Sequence, residues 1–170
     1  IFHEALRIFR LADMYHDIGK TENPQCFVEN EGVGAKYHDG LTPLESAKMI
    51  INHVTDGKRL AEKYNLPTII SDFIITHHGT SCAAYFYNKY IQEGGDPANA
   101  DEFFYKGKKH WTKEQTILMI CDSIEAASRT LKDTSPETFD KFVESIVASK
   151  INAGQLDNAD ISLKELCRIK

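Results

Sequence analysis

Apolar residues recur three or four apart along most of the chain. Leu44, Ala47, Ile51 and Val54 form one such run, and Ile70, Phe73 and Ile74 another. Ile117, Cys121, Ile124, Ala127 and Leu131 form a third, and Phe139, Phe142 and Ile146 a fourth. This is the spacing of one buried helix face. Helix-start chemistry precedes several runs. Thr42-Pro43-Leu44-Glu45, Thr112-Lys113-Glu114-Gln115 and Ser162-Leu163-Lys164-Glu165 each place a hydroxyl three residues ahead of a Glu or Gln, so two orphan N–H groups can be satisfied reciprocally. Pro43 holds the favoured first helical position, Ser135-Pro136 marks a further start, and Pro67 opens a helix after Leu66. The residues before His16 also read as amphipathic helix, so the chain opens inside one. Strand-like alternation is short and isolated. The pattern predicts an all-α domain of about six helices. Two stretches read as loops, Thr21 to Leu41 and Glu93 to Trp111, both rich in Gly, Asn and Pro. Loops of that length inside a compact domain are functional or disordered.

Composition narrows the class. The 170 residues suit one domain with a real core, covering 1–170. The formal charge of −5 argues against a nucleic-acid polymer as partner. No apolar run reaches the roughly 18 residues a membrane span requires. The four cysteines, Cys26, Cys82, Cys121 and Cys167, show no paired spacing and read as reduced and mostly buried.

The informative residues are polar ones at core-like positions. His16-Asp17 closes the first amphipathic run. His53 lies among Ile50, Ile51 and Val54, His77-His78 ends the apolar run from Ile69, and Asp122 sits between Cys121 and Ile124. Each has a bland account alone: His77-His78 would suit a helix C-terminus, and Asp122 could bond to backbone. A metal centre would satisfy all of them together, and a buried unpaired carboxylate is costly. Imidazole and carboxylate without thiolate suit Mn, Fe, Co or Ni, and less specifically Zn. Adjacent residues on a helix diverge, so His16-Asp17 can serve two positions, with the carboxylate bridging. Two close cations can share a hydroxide, lower its pKa and clamp an in-line displacement at phosphorus.

With those residues in view, the chain resembles the HD superfamily of metal-dependent phosphohydrolases, and within it the HD domains of seven-transmembrane proteins that hydrolyse cyclic di-AMP. The matching stretches are Tyr15 to Lys20, Phe27 to Asn30, Ile51 to Gly57, His77 to Ser81, Tyr85 to Tyr87, Asp122 to Arg129 and Gly154 to Asp157. The resemblance implies a helical bundle around a dinuclear site. It implies one cation on His16, Asp17 and Asp122 and a second on His53, His77 and His78, with Asp17 bridging; manganese or iron leads among the metals. The implied reaction cuts a 3′–5′ phosphodiester of cyclic di-AMP to the linear dinucleotide. Asp17 and Lys20 are the implied catalytic residues, Lys20 steadying phosphate charge, and Lys20, Thr80, Ser81 and Arg129 the implied substrate contacts. It further implies a cytoplasmic domain tethered by upstream transmembrane helices.

Two departures stand out. The superfamily carries another metal-binding His on an upstream helix, which this chain starts too late to include; His3 is not at the matching position. Where the family has prolines, Lys106 and Lys108 stand, and with Lys109 they add local positive charge. Two other readings remain open: a nucleotide phosphomonoesterase of the same superfamily, and an HD module that binds a nucleotide without cutting it. A Gly-Tyr-Pro after His77-His78, which marks the branch acting on cyclic di-GMP, is absent.

Overall fold

The computed structural model describes residues 2–27 and 37–168. Helices dominate: α1 (Phe2–Tyr15), α2 (Pro43–Lys63), α3 (Thr68–Thr76), α4 (Ala84–Gln92), α5 (Lys113–Ser128), α6 (Pro136–Asn152) and the single turn α7 (Leu163–Leu166). Of three 3-10 segments, Pro24–Cys26 and Pro97–Phe103 lie within stretches that the sequence pattern leaves as loop, and Ile18–Glu22 runs into the first of them. Among the described residues the only strand-like pairing is an isolated bridge between Cys82 and Phe104.

The start signals act as expected. Thr42 and Thr112 each accept from the backbone N–H three residues on, and Glu45 and Gln115 return the bond. Ser162 and Glu165 do the same at α7. Pro67 is the N-cap rather than the first residue of α3. Ser135 bonds Asp133 and Thr138 instead of capping α6.

Helix α2 is the axis of the domain. Its first half packs Ala47, Ile51 and Val54 against Phe103 and Tyr105. Its last turn contributes Ala61 to a second cluster with Ala12 of α1, Ile70, Phe73 and Ile74 of α3, and Leu118 of α5. A third cluster joins Met119 and Ile120 of α5 to Val143 and Val147 of α6 and Leu166 of α7. Each fully buried large side chain contributes about 1.5–3 kcal/mol. The turn after α1 meets α2 at two glycines, 19 and 57: a Cβ on Gly19 would collide with the His53 carbonyl oxygen and lie 2.6 Å from the Gly57 nitrogen. Only hydrogen at that position lets the turn lie this close.

Three expectations are corrected. Cys121 is exposed and Cys167 also, while Cys26 is buried and Cys82 partly so; all four are unpaired. The buried face of α5 runs through Gln115, Thr116, Leu118, Met119 and Ile120, and that of α6 through Val143 and Val147. Both faces are rotated from the ones the spacing suggests, and Phe139 is 40 % exposed. The stretch from Glu93 to Trp111 is irregular but not a surface loop, since Phe103, Tyr105 and His110 are buried in it. Val28 to Asn30, part of one matching stretch, lie outside the described residues.

Candidate metal centre

The polar residues singled out above converge where the end of α1, the middle of α2, the end of α3 and the body of α5 meet. Asp17, His53, His77 and His78 form one group able to hold a cation, and His16, Asp17 and Asp122 form another; Asp17 belongs to both.

The geometry follows from backbone chemistry. His16, His53 and His77 each turn Nδ1 onto the carbonyl three residues earlier, at 2.6 Å from Asp13 O, 2.6 Å from Ile50 O and 2.7 Å from Ile74 O. A carbonyl only accepts, so Nδ1 carries the proton and, in a neutral ring, Nε2 presents a lone pair. The Nε2 atoms of His53 and His77 lie 3.0 Å apart. Both point at Asp17 Oδ1, at 3.3 and 3.4 Å. That oxygen is buried and has no hydrogen-bond donor among the described residues. Three electron-rich atoms thus share one point. A bond between the two rings would need an imidazolium where burial opposes one. A cation would resolve the arrangement, and backbone bonds of this kind orient metal-ligating histidines.

The second group is more open. His16 Nε2 lies 3.4 Å from Asp17 Oδ2 and 3.7 Å from Asp122 Oδ1. His78 Nδ1 comes within 3.5 Å of Asp122 Oδ2, tying the two groups together. Lys20 Nζ sits 2.6 Å from Asp17 Oδ2 and over the Phe27 ring.

Charge follows from this packing. Burial alone would raise the Asp17 carboxyl, but the adjoining His16 and His77 rings and the charges of Lys20 and His16 hold it far below the usual carboxylate range. Burial opposes charge on His16 too, yet Asp122 and Asp17 push that ring up to about 10. Burial, with the neighbouring His77, takes His53 down to about 4, and His78 is likewise pushed well down. Neutral imidazoles are the ligating form, so the buried group is ready for a cation at neutral pH.

A cavity of about 980 Å³ opens beside these residues. Its walls include His78 and Asp122 together with Thr80, Ser81, Tyr105, Lys109, Lys150 and Gln155. Of the expected substrate contacts, Thr80 and Ser81 line it, though Thr80 N and Oγ1 are engaged by Gln155. Lys20 and Arg129 are not among its walls. Arg129 lies against Glu125 Oε1 through Nε and Nη2, at 3.2 and 2.6 Å. In the basic stretch, Lys106 bonds Asp101 O and Lys109 pairs with Asp157 at 2.9 Å.

Three participants carry no assignment from the sequence. Tyr105 stacks on His78 with ring centroids 4.2 Å apart, and burial beside Asp122 and Asp17 keeps its phenol protonated. Gln155 clamps Thr80 and sits against His110, whose Nδ1 lies 3.4 Å from Gln155 O. Gln155 falls in the matching stretch Gly154 to Asp157, which was the available signal. Tyr105 and Lys150 fall in none.

An all-helical domain that gathers four histidines and two aspartates from four separated segments is a metal-site domain of the His–Asp type. The chain belongs to the HD domain family, whose model matches residues 3–127. It is 40 % identical over 157 residues to the cyclic-di-AMP phosphodiesterase PgpH of Bacillus subtilis (strain 168), covering 92 % of this chain and 22 % of that protein. Against PgpH of Listeria monocytogenes serotype 1/2a (strain 10403S) it is 36 % identical over 159 residues, covering 94 % and 22 %. This chain therefore spans about a fifth of the length of the curated relatives it matches. The crystal structure of the L. monocytogenes PgpH HD domain in complex with cyclic di-AMP superposes with a TM-score of 0.89 at 35 % identity, covering 95 % of this chain and 75 % of that one. A second structure of the same domain gives 0.85 at 34 % identity, covering 95 % and 76 %.

Proposed function

We propose that this chain hydrolyses a 3′–5′ phosphodiester of cyclic di-AMP to the linear dinucleotide, using two divalent cations, manganese or iron. The observation that carries the reading is the convergence of His53 Nε2, His77 Nε2 and the donor-less Asp17 Oδ1 on one point beside a dinucleotide-sized cavity. The named activity of the relatives supports the substrate. Within this reading His53, His77, His78 and Asp17 hold one cation, and His16, Asp122 and Asp17 the other. When bound, such a pair supplies Lewis acidity and a nucleophile at neutral pH.

The chain's own residues prepare that chemistry. Asp17 offers its two oxygens to different neighbours, Oδ1 to His53 and His77 and Oδ2 to His16 and Lys20. Lys20 thus orients the shared carboxylate rather than reaching into the cavity. Tyr105 covers one face of His78 and fixes its plane. Gln155 holds Thr80, and with it the turn that follows His78. Fixing this turn keeps Thr80 and Ser81 on the cavity wall, where a phosphate would meet them.

In the cell we place the domain on the cytoplasmic face of a membrane, tethered by helices upstream. Among the described residues no helix is long and apolar enough to cross a membrane, so an anchor would lie outside them.

The test is hydrolysis of cyclic di-AMP by the manganese-loaded protein at its full natural length. Asp17→Ala should lower the rate by more than about 100-fold, beyond the 10–100-fold that a residue merely orienting a ligand costs. Cleavage of nucleoside monophosphates with cyclic di-AMP left intact would replace the reading with a phosphomonoesterase. Tight binding without turnover would replace it with a sensing module.

A further inference from the structure

The cavity beside the metal centre contains a cation that the HD residues do not account for. Lys150 stands in the last turn of α6, a position where a lysine ordinarily lies in solvent and complements the helix dipole. Here the side chain is half-buried and is part of the cavity wall that also holds His78 and Asp122. Its Nζ donates to Ser81 Oγ at 3.3 Å. Among the described residues no carboxylate lies within 4 Å of it, whereas the neighbouring wall residue Lys109 is paired with Asp157. Burial pushes the ammonium below the ordinary lysine value, against the pull of Asp122.

A half-buried ammonium with one hydroxyl partner has lost hydration without gaining a counter-ion. An ammonium has three donors, and Ser81 takes one. The remaining donors are met most favourably by an anionic oxygen, and charge-assisted bonds of that kind are the strong ones. The other lysine of the centre cannot serve this purpose from where it lies, because Lys20 is directed at Asp17.

Resting on the functional reading above, we propose that Lys150, steadied by Ser81, anchors a phosphate oxygen of the dinucleotide on the cavity wall. Its hydrogen bond goes to Ser81 and not to any of the six metal-site side chains, so it grips the substrate without orienting the cations. Its contribution therefore falls on substrate binding more than on the chemical step. The pairing also explains why Ser81, and not only Thr80, follows His78-Gly79 here: the hydroxyl aims the ammonium.

The experiment compares wild type, Lys150→Gln, Lys150→Met and Lys150→Arg as manganese-loaded full-length proteins. Cyclic di-AMP is the substrate and the linear dinucleotide the inhibitor. Loss of the charge should raise KM and the product inhibition constant together by at least about tenfold, the effect of one lost charge-assisted bond. The kcat should change less than about threefold, and Lys150→Arg should retain most of the affinity. Metal content and melting temperature should stay at wild-type values. Unchanged KM and product inhibition in both neutral variants would overturn the anchor while leaving the functional reading intact. Loss of metal or of thermal stability in both would mark Lys150 as structural and overturn it as well. A wild-type protein that does not turn over cyclic di-AMP would instead refute the functional reading on which the anchor rests.

Discussion

His16 shows how strongly single residues here depend on what fills the site. Its ring is held up at about 10 by Asp122 and Asp17 in spite of burial. The unfolded ring titrates near 6.5. A pKa raised on folding contributes stability that is complete below about 6.5 and is lost as pH rises through about 10. The metal-free protein should therefore melt progressively lower between those values, and His16→Gln should flatten that part of the profile. A cation on His16 Nε2 displaces the titrating proton, so the loaded protein should lack the slope. Identical melting profiles for wild type and His16→Gln without metal would show that the carboxylates do not hold this proton. On the proposed reading the same pair of aspartates would stabilise a proton in one state and a metal in the other.

At the scale of elements, the site depends on how closely the turn after α1 approaches α2. Gly19 brings Asp17 and Lys20 against the middle of α2, next to His53, with no room for a Cβ. Gly19→Ala should cost at least the 1–3 kcal/mol typical of overpacking, lowering the melting temperature by about 2–12 °C. Thermal denaturation checks it; an unchanged midpoint would mean the turn can shift freely. The sequence makes this centre legible because His and Asp within apolar helical runs conflict with burial unless something joins them. His16, Asp17, His53, His77, His78 and Asp122 all stand out on that ground, and all come together. Lys150 does not stand out, because a lysine in a last turn is what the helix dipole favours. Tyr105 and Gln155 lie in irregular segments whose burial no periodicity reveals. The faces of α5 and α6 are misjudged for a related reason. Both helices carry apolar residues on more than one side, and which side meets a neighbour is decided by α7 and Leu166 far along the chain.

At the scale of the molecule, three apolar clusters support one polar junction. α2 spans two of them and carries His53 among its residues of the first, while α5 links the cluster it shares with α2 to the third and carries Asp122 just beyond. The ligating groups are thus borne on or beside packed helices, with the backbone of the same helices fixing three imidazoles. Such a frame holds the donors in place before any cation arrives, which is what electrostatic catalysis demands. The cavity wall places Lys150 together with His78 and Asp122, so on the proposed reading the dinucleotide would meet that ammonium beside the metal site. The most direct test follows conversion of cyclic di-AMP to the linear dinucleotide as manganese is added stepwise to the metal-free, full-length protein. Activity should rise as two equivalents bind per chain and then level off, with linear dinucleotide as the product. No conversion with two manganese ions bound, or full activity in protein stripped of metal, would contradict the account.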